Sequence, residues 1–422
     1  MSRRHFALAA AAVLNPALGS LYAWSIFVSP LEQRLGVPRS DLSGVFSIAV
    51  VCFTLGMGFA PAAYRLMATP ALVAAAAGMC GLGLGLAAWT PGLVVLGLGY
   101  GVLFGLGNGF GYSVMLQAVN LVLPHRRGLA NGFGIGLFAA GSILFAPVFG
   151  WAVGAFGVRA TLAGMAALFA AVAVAAAALL AASRISVQAA ASLRMEGEPE
   201  RGPALFWVIW IGFLLGAGAG LMAISQAAGI VVAYGGPPGL AVVGTTLVGV
   251  GNGGGRLLGG WLCDHLPIRR VVMGAHLIAA AALAALALFP SAAVAVVALA
   301  LVGLCYGLIS GAYPSALGFY YGVVNYGRMM GRLITAWGVA GLLTPWLAGA
   351  IFDATGGYGL AVSLACSGAA LGFLVSIALP RAAEQAPSRQ VAPTAASLSE
   401  GERTSHLPSP PSGERARKRG RP

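Results

Sequence analysis

The chain has 422 residues, of which 59% are hydrophobic and 8% are charged, and its mean hydropathy is +0.88. A soluble globular domain carries about 25% charged residues, so this composition excludes an ordinary soluble protein and indicates one that spans a membrane. The formal charge of +13 does not indicate a nucleic-acid-binding protein, because the basic residues lie in loops and in the tail rather than along one amphipathic face.

Apolar segments, taken in chain order, predict twelve membrane-spanning helices. The first follows Arg3 and Arg4 and is too long to be the apolar region of a signal peptide, so we predict it as a helix. Each segment ends at a polar or Pro/Gly-rich break and is long enough to cross a bilayer core. The segments cover residues 6–31, 42–66, 70–90, 93–118, 129–155, 159–182, 204–230, 240–263, 270–290, 292–318, 329–352 and 358–380.

The longest internal polar break divides these helices into two groups of six. We therefore predict an all-α polytopic membrane protein with an N-terminal six-helix bundle at 1–182, a cytoplasmic linker at 183–203 and a C-terminal six-helix bundle at 204–380. Residues 381–422 are rich in Ser, Pro and Arg, which predicts a disordered basic cytoplasmic tail.

The positive charges of the loops alternate in a way that predicts the topology. Arginines dominate one set of loops, while the turns of the opposite set are poor in net positive charge. The positive-inside rule then places both termini in the cytoplasm of a multi-pass protein in the inner (plasma) membrane. The arginine-rich side contains Arg3, Arg4, Arg65, Arg126, Arg127, Arg269, Arg270, Arg328 and Arg332.

The two halves of the chain repeat each other. GLGYGVLFG at 97–105 matches GLCYGLISG at 303–311, and each stands in the fourth predicted helix of its half. Three glycines of the fifth helix also match three of the eleventh at one constant offset: Gly128, Gly132 and Gly150 with Gly327, Gly331 and Gly349. A two-fold repeat of helical bundles is typical of alternating-access transporters.

One arginine lies deep in the predicted eighth helix. Arg256 is about 12 Å along the helix from the boundary at Asp264. An arginine at membrane depth costs about 2.5–3.5 kcal/mol on insertion scales, so it normally faces a water-filled cavity and an anion. The alternative is that backbone carbonyls or Asp264 hold it. Asn252, one turn earlier on the same face, either binds the solute or orients the guanidinium.

A loop motif joins the predicted eighth and ninth helices, Gly260-Trp-Leu-Cys-Asp264-His265-Leu-Pro-Ile-Arg269-Arg270. It resembles the G-x-x-x-D-[RK]-x-G-[RK] loop of the major facilitator superfamily, although the positions of His265 and Pro267 depart from that pattern. The resemblance implies that this loop is a cytoplasmic latch in which Asp264 pairs with arginines and caps a helix N-terminus. The latch residues implied in this way are Asp264, Arg269, Arg270, Arg126 and Arg127.

Three further motifs appear in a fixed order: Tyr22-Ala-Trp24-Ser-Ile-Phe27, Arg126-Arg127-Gly128-Leu-Ala-Asn131-Gly132 and Asn252-Gly-Gly-Gly-Arg256-Leu. With them, residues 6–380 resemble the oxalate/formate antiporter family and its monocarboxylate-transporter relatives. Oxalate carriers of that family hold the dianion with an arginine in helix eight and a lysine in helix eleven. Here Trp337 stands where that lysine is expected, and no predicted helix contains a lysine, so the resemblance favours a monocarboxylate over oxalate.

The repeat and the resemblance also select aromatic residues that are expected to line a central cavity. A phenol donates a hydrogen bond to an anion while its ring fills an apolar wall, and plain helix packing is the alternative for each residue. The expected substrate-binding residues are Arg256, Asn252, Tyr22, Trp24, Tyr100, Tyr112, Tyr306 and Trp337. No metal site and no cofactor are expected, since the five cysteines are scattered without ligand spacing.

These features predict a transporter rather than an enzyme, because no catalytic acid, histidine pair or nucleophile is evident at membrane depth. We expect a monomeric secondary transporter of small organic anions that works by alternating access. No acid occurs at the centre of a predicted helix, which favours exchange with a counter-anion or facilitated transport. The alternatives are a proton-coupled monocarboxylate symporter and an exporter of drugs or other apolar compounds with the same fold.

Overall fold

The core of a bilayer contains no water to hydrogen-bond the backbone, so long apolar segments that cross it form helices, in which the backbone groups bond to each other. The computed structural model describes residues 3–89, 92–123, 127–187 and 202–381, and these ranges contain helices and connecting turns but no strand. Within them, ten helices are long and apolar enough to cross a membrane. The protein is therefore a multi-pass membrane protein.

Two of the longest helical stretches contain a break at a glycine with positive φ. Gly157 (φ 77°) divides Arg127–Ser183 into α5 (127–156) and α6 (158–183), and Gly322 (φ 72°) divides Ala292–Thr355 into α10 (292–321) and α11 (323–355). Residues with a Cβ rarely adopt this left-handed conformation. The remaining helices are α1 (Arg3–Gly19, the 3-10 turn Ser20–Ala23 and Ser25–Leu35), α2 (Arg39–Leu66), α3 (Thr69–Trp89), α4 (Leu93–Leu96, the π-helical segment Gly97–Phe104 and Gly105–Val122), α7 (Pro203–Ala233), α8 (Pro238–His265), α9 (Ile268–Leu288) and α12 (Gly359–Ser376).

This arrangement confirms the predicted all-helical, twelve-helix architecture. One of the ten segments, Phe133–Ser183, contains both α5 and α6. The α8 helix falls outside the ten, because glycines, Asn252 and Arg256 lower its hydropathy, but its 28 residues are long enough to span, which gives twelve. The turn at Thr90-Pro91, residues 188–201 of the predicted linker and the tail at 382–422 lie outside the described residues. The proposed domain boundaries therefore stay a prediction.

The repeated glycine motif is a packing motif in both halves. Gly101 and Gly105 of α4 lie against α2, and their matches Gly307 and Gly311 of α10 lie against α8. At each of these positions a Cβ would press on the neighbouring helix, and at Gly105 and Gly307 it would meet backbone atoms. The same motif thus brings together two equivalent helix pairs, as the sequence repeat predicts.

A second pair of matched glycines lies where one half of the chain crosses the other. Gly150 of α5 is against Val242 of α8, and Gly349 of α11 is against Ser43 of α2. Both crossings lie toward the end of the molecule that contains the α1–α2 turn (36–38) and the α11–α12 turn (356–358), which we call the distal end. The opposite end, which contains the start of α1, is called the proximal end.

The tight contact between α8 and α10 gives a prediction with a control on the same helix. A Cβ at Gly255 would overlap the carbonyl of Leu304, whereas a Cβ at Gly254 would meet nothing within 4 Å. We expect Gly255→Ala to lower stability by about 1–3 kcal/mol through overpacking. Gly254→Ala should leave stability unchanged or slightly raised, since alanine favours helix. Thermal unfolding of both variants in detergent checks this, and equal midpoints would contradict it.

Candidate functional site

The close contact between α8 and α10 places an arginine beside a tyrosine. Gly307 of α10 lies against the carbonyl of Asn252 and the backbone nitrogen of Arg256. A larger residue at 307 would hold the helices apart. With glycine there, the guanidinium carbon of Arg256 lies 5.5 Å from the centroid of the Tyr306 ring, within cation–π distance.

A neutral amide, rather than an acid, holds the guanidinium. The Nε–H of Arg256 donates to Oδ1 of Asn252 at 2.9 Å, and Asn252 is 0% exposed. Nδ2 of the same amide is buried and has no partner among the described residues. No carboxylate in those ranges pairs with Arg256. Its positive charge is therefore not neutralised by the described part of the chain, and the planar guanidinium matches the geometry of a carboxylate.

Three side chains form a hydrogen-bonded chain beside the guanidinium. Nε1–H of Trp337 donates to the hydroxyl oxygen of Tyr306 at 2.7 Å, and the hydroxyls of Tyr306 and Tyr22 lie 3.2 Å apart. The indole only donates, so the chain holds three hydrogens and two of them make these bonds. One phenolic O–H is left for a further acceptor.

Aromatic rings close the site on the side of the first half. Phe138 is 5.2 Å from Tyr22 and 5.1 Å from Tyr112, measured between ring centroids. Phe53 is 5.6 Å from Tyr112 and 5.1 Å from Trp337. With Arg256, Asn252 and Tyr306, these residues form what we call the guanidinium cage. Its charged and amide groups come from the second half, and its apolar wall comes mostly from the first.

A close crossing of α1 and α5 positions Tyr22. A Cβ at Gly19 would overlap the carbonyl of Phe138, and one at Gly141 would overlap Gly19 itself. The chain then passes through the 3-10 turn Ser20–Ala23, which contains Tyr22. The glycine crossing therefore accounts for the contact between the rings of Tyr22 and Phe138.

The structure brings together six of the eight predicted substrate-binding residues and separates two. Arg256, Asn252, Tyr22, Tyr112, Tyr306 and Trp337 share the guanidinium cage. Trp24 and Tyr100 stack on each other at 4.4 Å, and Tyr100 continues to Phe104 at 4.8 Å. Among the described residues, neither ring contacts Arg256. These two rings instead pack in the interior of the first half.

Two cage residues, Phe53 and Phe138, were missed by the sequence analysis. Each is a phenylalanine within a long apolar run, and nothing in its neighbourhood distinguishes it from a ring that faces lipid. The constant offset that relates Gly128, Gly132 and Gly150 to Gly327, Gly331 and Gly349 also pairs Phe138 with Trp337, so the repeat is a signal that points at Phe138. Phe53 shows no comparable signal.

Other buried polar side chains connect helices, as their isolation in apolar runs predicts. Nδ2 of Asn108 in α4 donates to the carbonyl of Leu18 in α1 at 2.8 Å. Nε2 of His276 in α9 lies 3.3 Å from the hydroxyl of Tyr313 in α10, which in turn lies 3.3 Å from Oγ of Ser376 in α12. These groups stabilise contacts between helices, and Arg256 is the charged group of the guanidinium cage.

The predicted latch is open to solvent in the part that the structure describes. Asp264 is exposed and forms no ion pair with Arg269 or Arg270. Next to it, His265 stacks on Trp261 at 4.4 Å, and its Nδ1 lies 2.8 Å from the Trp261 carbonyl. Arg126 and the side chain of Arg127 lie outside the described residues. The latch therefore stays a prediction.

Comparison with protein families identifies the fold and the broad class. The family model of the Major Facilitator Superfamily matches residues 5–323. The chain belongs to this superfamily. As a member, it is a membrane transporter and not an enzyme, and it handles small molecules within the lipid bilayer.

Curated relatives and solved structures agree with this assignment. The chain is 27% identical over 336 residues to the uncharacterized MFS-type transporter YhjX of Escherichia coli K12, covering 77% of this chain and 83% of the relative. It is 26% identical over 352 residues to the oxalate:formate antiporter of Oxalobacter formigenes, covering 75% and 78%.

The solved structures share the fold at low sequence identity. The partially occluded inward-open structure of the xylose transporter XylE from E. coli has a TM-score of 0.68 at 15% identity and covers 90% of this chain and 100% of its own. A crystal structure of a D-xylose–proton symporter has a TM-score of 0.67 at 16% identity and covers 90% and 99%. These similarities show the twelve-helix fold alone.

The pairing of Asn252 with Arg256 gives a prediction about stability. Asn252→Leu should destabilise the protein by about 1–3 kcal/mol, because it leaves a buried N–H of the guanidinium without its acceptor. Adding Arg256→Leu should recover part of that loss, since the unpaired donor is then gone. A double-mutant cycle of thermal unfolding in detergent measures the coupling. Strictly additive effects would show that the hydrogen bond does not contribute.

Proposed function

We propose that this transporter carries small organic anions, with Arg256 binding the carboxylate. The observation that supports the proposal is the pairing of the guanidinium with a neutral amide inside a cage built from both halves of the chain. A partly buried arginine at membrane depth without an acidic partner creates a preference for an anion. The two halves would rock around this site, as in other carriers built from repeats.

The charge of the cage favours a monocarboxylate. Arg256 is the only formally charged residue of the cage, so one carboxylate would neutralise it, and a dianion would bring one uncompensated charge. The only lysine of the chain is Lys418 in the tail. Trp337 donates its N–H to Tyr306 and adds no charge. The remaining phenolic O–H and Nδ2 of Asn252 are further donors for a carboxylate.

The positions of the acids favour exchange or facilitated transport over proton coupling. The described carboxylates are Glu32, Asp41, Asp264 and Asp353, and each lies within a few residues of a helix end. Proton-driven transport normally uses a titratable group at membrane depth. The relative named as an oxalate:formate antiporter is consistent with exchange. For orientation, we propose both termini in the cytoplasm and an inner-membrane location, on the basis of the loop arginines.

Uptake into proteoliposomes tests the proposal. Labelled formate, lactate, pyruvate and oxalate are offered to vesicles with and without internal anion. Arg256→Gln should reduce uptake of the preferred monocarboxylate by about 10- to 100-fold, because it removes charge-assisted hydrogen bonds. Arg159→Gln is the matched control, since that guanidinium lies near Trp89 at 6.0 Å and away from the cage.

Each outcome of this experiment discriminates between mechanisms. Uptake that requires internal anion supports exchange, and uptake that requires a proton gradient supports the symport alternative. Equal activity of Arg256→Gln and wild type would overturn the anion proposal and favour transport of an apolar compound. Oxalate outcompeting every monoacid would overturn the argument from the single charge of the cage.

The sequence repeat supplies a second matched pair of variants. Tyr306 and Tyr100 occupy equivalent positions of the repeated motif, but only Tyr306 is in the guanidinium cage. Tyr306→Phe should raise KM for the transported anion by about 2- to 10-fold through the loss of one hydrogen bond. Tyr100→Phe should leave KM close to wild type. If both variants change KM equally, the phenol of Tyr306 has no special role.

A further inference from the structure

Outside the guanidinium cage, the largest polar network of the described residues lies at the distal end. Arg39, at the first position of α2, donates from Nε and Nη2 to the two carboxylate oxygens of Glu32, both at 2.6 Å. Its Nη1 donates to the hydroxyl of Tyr358 at 2.9 Å. The guanidinium carbon also lies 3.9 Å from the centroid of the Phe352 ring. This arginine from the first half is thus inserted between side chains of the second.

A carboxylate from the second half caps the helix that begins with Arg39. The backbone N–H groups of Arg39 and Ser40 donate to Oδ1 and Oδ2 of Asp353 at 2.9 and 2.7 Å. The residue before the helix is Pro38, whose side chain makes no capping hydrogen bond. Free N–H groups at a helix start favour a negatively charged partner. Here α2 obtains that partner from the end of α11, across the contact between the halves.

The network continues inward through Gln226 of α7. Its Oε1 accepts from the hydroxyl of Tyr358 at 2.8 Å, and its Nε2 donates to Oγ of Ser43 in α2 at 2.8 Å. The same Nε2 lies 3.3 Å from the carbonyl of Pro345 in α11. One buried amide therefore ties α7, α11 and the α11–α12 turn to α2.

Among the described residues, all but one of the side-chain contacts made by Arg39 and Asp353 cross between the halves. The exception is the Arg39–Glu32 pair, in which both residues belong to the first half and the side chains are 8% and 20% exposed. If the halves separate at this end, Arg39 loses Tyr358 and Phe352, and α2 loses Asp353, but the charge of Arg39 stays paired with Glu32. Separation therefore leaves no unpaired arginine behind, which lowers its cost.

We propose that Arg39 and Asp353 form the distal gate of this transporter, and that their contacts set the balance between the distal-closed and distal-open conformations. The structure shows the closed state, in which Gly349, Gly341 and Gly338 of α11 lie against Ser43, Val50 and Thr54 of α2. The gate holds the two halves together at one end whichever solute is carried. In the proposed topology it faces away from the cytoplasm.

The test measures the distance between the halves in the full chain. Spin labels are attached at Gln33→Cys and Ala354→Cys, two exposed sites beside the gate, in a background without the native cysteines. Reconstituted protein with wild-type Arg39 and Asp353 should show mainly a short distance. Asp353→Ala should raise the ratio of long to short distances at least tenfold, or about 1.4 kcal/mol.

Two further variants keep the test decisive. Asp41→Ala is the matched control. It removes one negative charge near the start of α2, as Asp353→Ala does, but Asp41 belongs to α2 itself and makes no ion pair with the second half among the described residues. Gln226→Leu removes the inner arm of the network without changing any charge, and it should shift the distances in the same direction as Asp353→Ala. The proposal would be overturned if Asp353→Ala or Gln226→Leu left the distances unchanged, or if Asp41→Ala shifted them by the same amount.

Discussion

A guanidinium bonded to a neutral amide is the interaction on which the interior of this transporter depends. Desolvation of an arginine at membrane depth is costly. An acidic partner would offset that cost, but it would also neutralise the charge, which could then no longer attract an anion. Asn252 stabilises Arg256 through one hydrogen bond and leaves its charge unneutralised. The rest of the cage surrounds this pair. Gly307 allows α10 to approach α8 closely, and the aromatic rings form the apolar wall of the site.

The sequence was sufficient for the helices, their number and the repeat, because bilayer thickness and backbone hydrogen bonding leave few alternatives. It also identified Arg256, since a lone arginine in an apolar helix is conspicuous. It did not separate Tyr306 from Tyr100, which have the same local pattern and different surroundings. That difference arises from packing between helices and not from local sequence.

The network around Arg39 was equally hidden from the sequence analysis. Arg39 and Asp353 are 314 positions apart in the chain, and each lies at a helix end, where charged residues are common. Only the crossing of α2 and α11 brings them together. The same crossing also carries the contact between Phe53 and Trp337 in the cage, next to the close approach of Thr54 to Gly338. A movement of α11 along α2 would therefore change the contacts at the gate and at the cage simultaneously.

The π-helical segment Gly97–Phe104 bears on how a two-fold architecture would serve the proposed solute with a single charged end. The corresponding residues of α10 form an ordinary α-helix, so the two copies of the motif differ in their backbone although their glycines contact equivalent helices. The tyrosines of the two copies differ as well: Tyr306 joins the hydrogen-bonded chain of the guanidinium cage, whereas Tyr100 packs against Trp24 within the first half. An asymmetric site of this kind suits a solute that has no symmetry of its own, because only one of the two copies has to supply the polar contact.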